Sequence, residues 1–404
     1  MVSKQDARRF GLNTQGQPTP SVWAAIPAKD EAGELEGCLM ALAAQRHAAI
    51  QGVVICLSNC TDDSATVVSR IAVALPFRVD TIDVALPPNR ACAGVARRLA
   101  MHRAAELAGP DGILLTTDAD ARVPPNWVAA NLTAIAGGAD AVAGRSEIEP
   151  YGARLIPPQL HAIDAREGYY ARLLDEIRSL LDPDPADPWP RHDEHCGASI
   201  AVTASAYRRA GGMPAVPLAE DRAFFDMLRR IDARIRHAPE VRVVVSARLH
   251  GKAPGGMADT MRRRIVKTDP FLDARLEPAL DATRRSRISG QLHQMWQTGA
   301  GDAAELQRIA AKLRTTSESL TRHFAIVPVA WGAGLEGVSC VQQNAERGYF
   351  GAGWARLEQQ CPVLQRRLVP LENLPVETAR AERIRDWLRN AADPVDTQLH
   401  VAAD

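Results

Sequence analysis

The segment Leu114 to Pro125, LLTTDADARVPP, ends an apolar run on Asp118 and Asp120 and follows them with Pro124 and Pro125. Residues i and i+2 of an extended or turning segment face the same way, so both carboxylates can be presented to one point. Two like charges that close repel unless a cation lies between them or one keeps its proton. A hard divalent ion with oxygen ligands, Mg2+ or Mn2+, resolves the conflict, and such ions keep water or phosphate oxygens as their other ligands. The chemistry implied is that of a metal-bound diphosphate; the plainer alternative is a solvated turn closing a strand. A second acidic pair, Glu220 and Asp221 in LAEDRAFF, stands where a helix should begin. The helix dipole keeps carboxylates ionised there, which suits a proton acceptor and equally a favourable helix start.

The elements that must hold these residues alternate along the first half of the chain. Val22 to Ile26 is a short apolar run, and Leu35, Leu39 and Leu42 recur at helical spacing behind it. Val53 to Leu57, Arg78 to Val84 and Ile113 to Thr117 read as further strands. Val67 with Ile71, and Val95 with Leu99, mark intervening helices. This βαβα order predicts an α/β fold with a mixed, mainly parallel sheet flanked by helices, and ligands in such sheets bind beyond the carboxyl ends of the strands. Asp118 and Asp120 fall at that edge. Val128, Leu132 and Ile135 predict a helix opened by the two prolines, and a longer amphipathic helix is expected from Leu160 to Leu181. The proline-rich DPDPADPWPRHDEH breaks it. Ser199 to Val202, a helix carrying Phe224, Leu228 and Ile231, and Arg242 to Ser246 complete the expected domain near residue 250. A helical appendage is expected beyond it.

IPAKDEAGELEGCLMAL, CTDDS, TTDADARVPPNWV and LAEDRAFFDMLRR occur in an order and spacing that resembles family 2 glycosyltransferases of the GT-A fold, over residues 20 to 250. The resemblance implies a glycosyltransferase domain over residues 1–250. Within it, residues 20–145 would bind the nucleotide sugar and 146–250 would face the acceptor, with a mainly helical region at 251–404. It implies that Pro27, Ala28, Asp30 and Glu31 lie under a UDP- or GDP-sugar, although Asp30 and Glu31 also suit the first turn of a helix. Family members commonly carry acidic residues where this chain has Leu57, Ser58 and Asn59, so a base contact would fall to the Asn59 amide. Arg90 and Arg97 flank a helix that the family sets beneath the donor. By the same resemblance Ala119 sits between the metal ligands Asp118 and Asp120, His250 completes the metal shell, and Cys196, Gly197 and Ala198 face the acceptor and donor sugar. In the family's acidic pair the second residue is the base, which gives Asp221 that role and leaves Glu220 to position a neighbouring group. The implied reaction moves a sugar to the hydroxyl of a small-molecule or lipid-linked acceptor, with inversion.

Lysine plus arginine and aspartate plus glutamate both number 48, so no long-range field favours nucleic acid or an anionic bilayer. The seven cysteines are odd in number and scattered, which suits reduced thiols and a cytoplasmic setting. No apolar run approaches the roughly 20 residues of a membrane span, and MVSKQDARRF is too polar for a signal peptide. His192, Asp193, Glu194 and His195 lack a helical i, i+4 histidine pair with a third ligand, and no metal is expected on them. Arg262, Arg263, Arg264 and Lys267 read as a solvated helix face. Three rivals stand beside the transferase. Gly332, Gly334 and Gly337 have dinucleotide-binding spacing, which would mean an NAD-dependent oxidoreductase, but only 67 residues follow Gly337. A nucleotidyltransferase would need a glycine-rich, arginine-containing loop after the first strand, where IPAKDEAGE stands instead. A non-catalytic nucleotide-sugar-binding protein would have no need of Asp118, Asp120 and Asp221 together.

Overall fold

The computed structural model describes residues 20–329 and 348–391, so Gly332, Gly334 and Gly337 lie outside the described residues. The chain opens with strand β1 (Val22–Ala28), helix α1 (Leu35–Ala43), β2 (Gly52–Ser58), α2 (Ser64–Ala72), β3 (Arg78–Val84), α3 (Ala93–Ala108) and β4 (Ile113–Thr116). Every residue of β2 and β4 is buried, as their unbroken apolar runs require of strands covered on both faces. The sequence then gives α4 (Trp127–Ala136), β5 (Ala141–Ile148), α5 (Pro158–Leu181), β6 (Ile200–Thr203), α6 (Ala204–Arg209), α7 (Glu220–Arg230), β7 (Ile235–Val245) and α8 (Met257–Val266).

The seven strands form one sheet in the order β3-β2-β1-β4-β6-β5-β7. Pairs β1–β2, β1–β4, β2–β3 and β5–β7 are parallel, whereas β6 runs antiparallel to both its neighbours. The architecture is therefore the mixed, mainly parallel sheet that the alternating pattern predicts. The reversed strand matters for the site. Ile200 at the start of β6 pairs with Thr116 at the end of β4, so the segment entering β6 lies beside the residues leaving β4. Strand β7 is longer than the Arg242 to Ser246 run suggests, starting at Ile235. It holds Pro239 at a sheet edge, where a missing N–H is tolerated, and its pairing slips between Ala143 and Arg145 of β5.

The chain divides into two compact units. The first holds the described residues up to Leu155, with Glu194–Leu228 and Ala233–Arg262. The second holds Ile156–Asp193, Arg229–Asp232 and the described residues from Arg263 onward. Here α5 packs with α9 (Ala279–Thr298) and α13 (Leu374–Asn390), joining Tyr170, Leu173 and Ile177 to Ala282, Ala381 and Ile384. A further cluster joins α9 to α10 (Ala303–Leu313), α11 (Ser317–Phe324) and α12 (Phe350–Gln360) through Leu292, Ile309, Phe324 and Leu357. A two-stranded ladder, Ala300–Asp302 on Val327–Val329, was not evident in the sequence. Among the described residues no helix is long and apolar enough to cross a membrane.

Candidate active site

At the exit of β4 the chain alternates. Ala119 and Ala121 are in the core, while Asp118 and Asp120 keep partial access to solvent. The turn is closed by Ala121 N–H donating to the Asp118 carbonyl at 3.1 Å. It is tied down by Arg122, which exchanges backbone hydrogen bonds with Val244 of β7. Burial, then the charge of Asp118 and that of Glu31, push the Asp120 carboxyl up to about 6 from an ordinary 3.8, against the pull of Arg248. The like-charge conflict inferred from the D-x-D spacing is thus present in the folded chain.

The cation at the centre of these acids is Arg97 on α3, 3% exposed. Its Nε donates to Glu220 Oε1 at 3.0 Å and its Nη2 to Asp118 Oδ1 at 2.7 Å. Nη1 donates to Thr116 Oγ1 and to the Gly197 carbonyl, both at 2.9 Å. Four of the five guanidinium N–H groups are thereby engaged. Burial opposes the charge, but Asp118 and Glu220 outweigh it and hold the guanidinium pKa above its usual value. Arg97 reaches this place because α3 begins tight against the segment before α7: a Cβ on Gly94 would stand 2.3 Å from the Val216 carbonyl oxygen. Gly197 is equally constrained, since a Cβ there would meet Arg97 Nη2 at 2.8 Å.

Helix α7 brings the second acidic pair. Ala219 just before it has φ +57°, a left-handed conformation that costs a non-glycine residue about 1–2 kcal/mol and turns the chain sharply into the helix. Glu220 is buried and paired with Arg97. Asp221 Oδ2 accepts Gly197 N–H at 2.9 Å and Oδ1 accepts Arg222 N–H at 2.7 Å, which fixes the carboxylate while each oxygen keeps a lone pair. Burial raises the Asp221 pKa.

A second arginine, Arg248, closes the opposite side. Its Nη1 donates to Glu31 Oε2 at 2.8 Å and its Nη2 to Glu31 Oε1 at 2.5 Å, a bidentate pair, and Nη2 also lies 3.1 Å from Asp120 Oδ2. Glu31 is 6% exposed. It follows β1, whose last residues are Pro27 and Ala28, and its carbonyl accepts the N–H groups of Glu34 and Leu35 that open α1. Neither Arg248 nor Thr116 is singled out by sequence reasoning. The available signal for Arg248 was a basic residue directly after the last strand, at the edge where the acids collect.

Other expected site residues are placed differently. Asp30, at φ +52°, accepts Thr61 N–H at 2.6 Å and Asp62 N–H at 3.3 Å through Oδ1, and the Thr61 N–H leads in holding its carboxyl below the usual range. It pins the β1–α1 loop to the β2–α2 loop. Asn59 is also left-handed, at φ +54°; its Nδ2 donates to the Leu86 carbonyl at 2.9 Å and its Oδ1 accepts Leu86 N–H at 3.0 Å. The amide assigned to a base edge thus continues the β2–β3 pairing. Arg90 is exposed in the β3–α3 connection. Cys196 has its thiol pushed up to about 12 by burial and is not a ready nucleophile, and Ala198 is in the core. His250 is exposed. Among the described residues the one group of three potential ligand side chains within 4.8 Å of one another is Asp30, Cys60 and Asp62, and Asp118, Asp120 and His250 do not form such a group.

No protein-family model matches the chain, and no curated protein matches it. Solved structures do. One is S. aureus TarS 1-349 in complex with UDP-GlcNAc, at 16% identity over 91% of each chain and a TM-score of 0.41. Another is the mannosyltransferase PcManGT from Pyrobaculum calidifontis in complex with GDP-Man and Mn2+, at 16% identity over 92% of this chain and 83% of that one, TM-score 0.41. A third is glucosyl-3-phosphoglycerate synthase from Mycobacterium tuberculosis with Mn2+, UDP and glucosyl-3-phosphoglycerate, at 18% identity over 62% of this chain and 78% of that one, TM-score 0.34. At these scores the likeness is partial, and the chemistry below rests on this chain's own residues.

Proposed function

We propose that the chain is a metal-dependent glycosyltransferase that moves a sugar from a UDP- or GDP-sugar to an acceptor hydroxyl with inversion. The observation that carries this reading is the single Arg97 guanidinium joining Asp118, Glu220 and the Gly197 carbonyl, while the Gly197 N–H holds Asp221. One buried cation thereby ties the D-x-D turn to a carboxylate free to accept a proton.

The donor set fits a divalent ion. Arg97 takes Oδ1 of Asp118 and leaves its Oδ2, Arg248 shares Oδ2 of Asp120, and the two hard carboxylates suit Mn2+ or Mg2+. Bound there, the ion would offset negative charge on the departing diphosphate. The protein's own residues supply the rest. Asp221, in its ionised form, takes the acceptor hydroxyl proton as the new glycosidic C–O bond forms and the bond to the diphosphate oxygen breaks. Gly197 N–H aims that carboxylate, and Glu220, neutralised by Arg97, keeps the start of α7 in place. The acceptor is a small molecule or a lipid-linked hydroxyl.

A thermal-shift screen of UDP- and GDP-sugars with and without Mn2+, with NADH as the rival ligand, tests the reading. A nucleotide sugar should stabilise the protein more with Mn2+ than without. Stabilisation by NADH alone would replace the proposal with redox chemistry, and the anomeric configuration of the product by NMR decides inversion.

A further inference from the structure

The two arginines that neutralise these acids are held very differently. Arg97 is 3% exposed and donates to four acceptors, two of them uncharged, so it cannot leave without stranding Thr116 and the Gly197 carbonyl. Arg248 has a side chain 29% exposed and rests on two carboxylates, those of Glu31 and Asp120. It stands just beyond the end of β7 on a connection that continues through Gly251, Gly255 and Gly256, with Gly255 at φ +75°. A guanidinium is also well shaped to meet phosphate oxygens in pairs.

We propose that Arg248 is a resident counter-cation that couples metal binding to diphosphate binding. It clamps Glu31 to Asp120 in the ligand-free protein and opposes entry of a bare divalent ion, and it turns to the diphosphate when nucleotide arrives, releasing Asp120 to the metal. The proposal rests on the donor and metal reading above. Its physical basis is competition for one carboxylate oxygen: Arg248 Nη2 lies 3.1 Å from Asp120 Oδ2, which a cation held by Asp118 and Asp120 would also attract. A nucleotide diphosphate offers Arg248 a replacement anion. Metal and nucleotide must then strengthen each other's binding by the same factor, because linkage is reciprocal. The device would make the protein select the metal–nucleotide pair over either alone.

Mn2+ binding measured by electron paramagnetic resonance on the full chain tests this, using MnCl2 alone and with UDP or GDP. Without nucleotide, Arg248→Gln should bind Mn2+ about fivefold or more tightly than wild type, at the low end of usual coupling factors. Arg248→Lys, which keeps the charge, should behave nearly as wild type, and Asp120→Asn should lose the site. Adding nucleotide should tighten Mn2+ binding in wild type and close most of the gap to Arg248→Gln. Equal or weaker nucleotide-free binding in Arg248→Gln overturns the proposal, as does an unchanged nucleotide effect in that variant or an absence of Mn2+ binding throughout. If neither nucleotide binds wild type, the donor reading fails, and the nucleotide-free arm still decides whether Arg248 opposes the cation. Should Arg248→Gln not fold because Glu31 is left buried and unpaired, the double variant Glu31→Gln/Arg248→Gln serves the same comparison.

Discussion

Replacing Asp120 with asparagine should stabilise the ligand-free protein at neutral pH while removing the proposed metal site. The Asp120 carboxyl is raised from 3.8 to about 6, first by burial and then by Asp118. A group raised in the folded state favours folding below its unfolded value, and that advantage is lost as pH rises through the folded value. At neutral pH the ionised carboxylate therefore works against the fold, by about 3 kcal/mol for a shift of roughly two units. Asparagine removes that penalty, which is already net of the attraction to Arg248, since Arg248 pulls the Asp120 carboxyl down against the larger effects of burial and Asp118. The net expectation is roughly 3 kcal/mol of added stability at pH 7.5, fading toward nothing near pH 4. Urea unfolding of both proteins in EDTA, at several pH values between 4 and about 8, reads the difference from the midpoints. Mn2+ should then raise the wild-type midpoint and leave the variant's unmoved. A variant less stable than wild type at pH 7.5, or a difference that does not change with pH, would refute the account of the turn as a site of unrelieved like charge.

Asp221→Asn should leave donor affinity nearly intact and lower turnover by about 100-fold or more, the usual range for a lost general base. Turnover within a few-fold of wild type would remove Asp221 from that role. In the wild type, kcat should fall on the acid side with a midpoint above the ordinary aspartate range, because burial raises the Asp221 pKa and the base acts only when ionised. Arg97→Ala should cost about 3–5 kcal/mol of stability in urea, since it leaves Glu220 buried without its partner. A midpoint equal to wild type would show that the hub is dispensable. Asn59→Ala should lose about 1–2 kcal/mol of stability, through the two Leu86 hydrogen bonds and the left-handed backbone, with nucleotide affinity unchanged by calorimetry. A large fall in affinity at constant stability would instead support a role in base recognition.

The sheet was legible because its central strands, VWAAIPA, GVVICLS and ILLT, are apolar runs separated by helical stripes, and these patterns depend on neighbours in sequence. The D-x-D turn was legible for the same reason: alternation alone sends Ala119 and Ala121 inward and the aspartates to the other side. What escaped depends on distant partners. Helix α3 is alanine-rich and buried over much of its girth, so no stripe reveals that Arg97 points inward while Arg98 beside it is more exposed. Arg248 meets Glu31 across 217 residues, and no local pattern encodes such a pairing. Asn59 was read by its chemistry, as an amide with a donor and an acceptor, and the backbone of Leu86 satisfies both at a place where the ladder needed extending. The antiparallel sense of β6 was equally hidden, because four residues, IAVT, carry no direction.

The Arg97 hub has a consequence for how the chain matures. Its ligands lie 19, 21, 100 and 123 residues away along the sequence. A chain emerging from the ribosome completes β1, β2 and β4 well before it has made Gly197 or Glu220. In the interim a guanidinium destined for the interior has only Thr116 and Asp118 to answer it, so α3 cannot seat fully until translation has passed the start of α7. Closure of α3 against its strands is thus timed by the arrival of the segment that carries Glu220, and a nascent chain stalled before Glu220 should be more open to protease at α3 than one stalled after it.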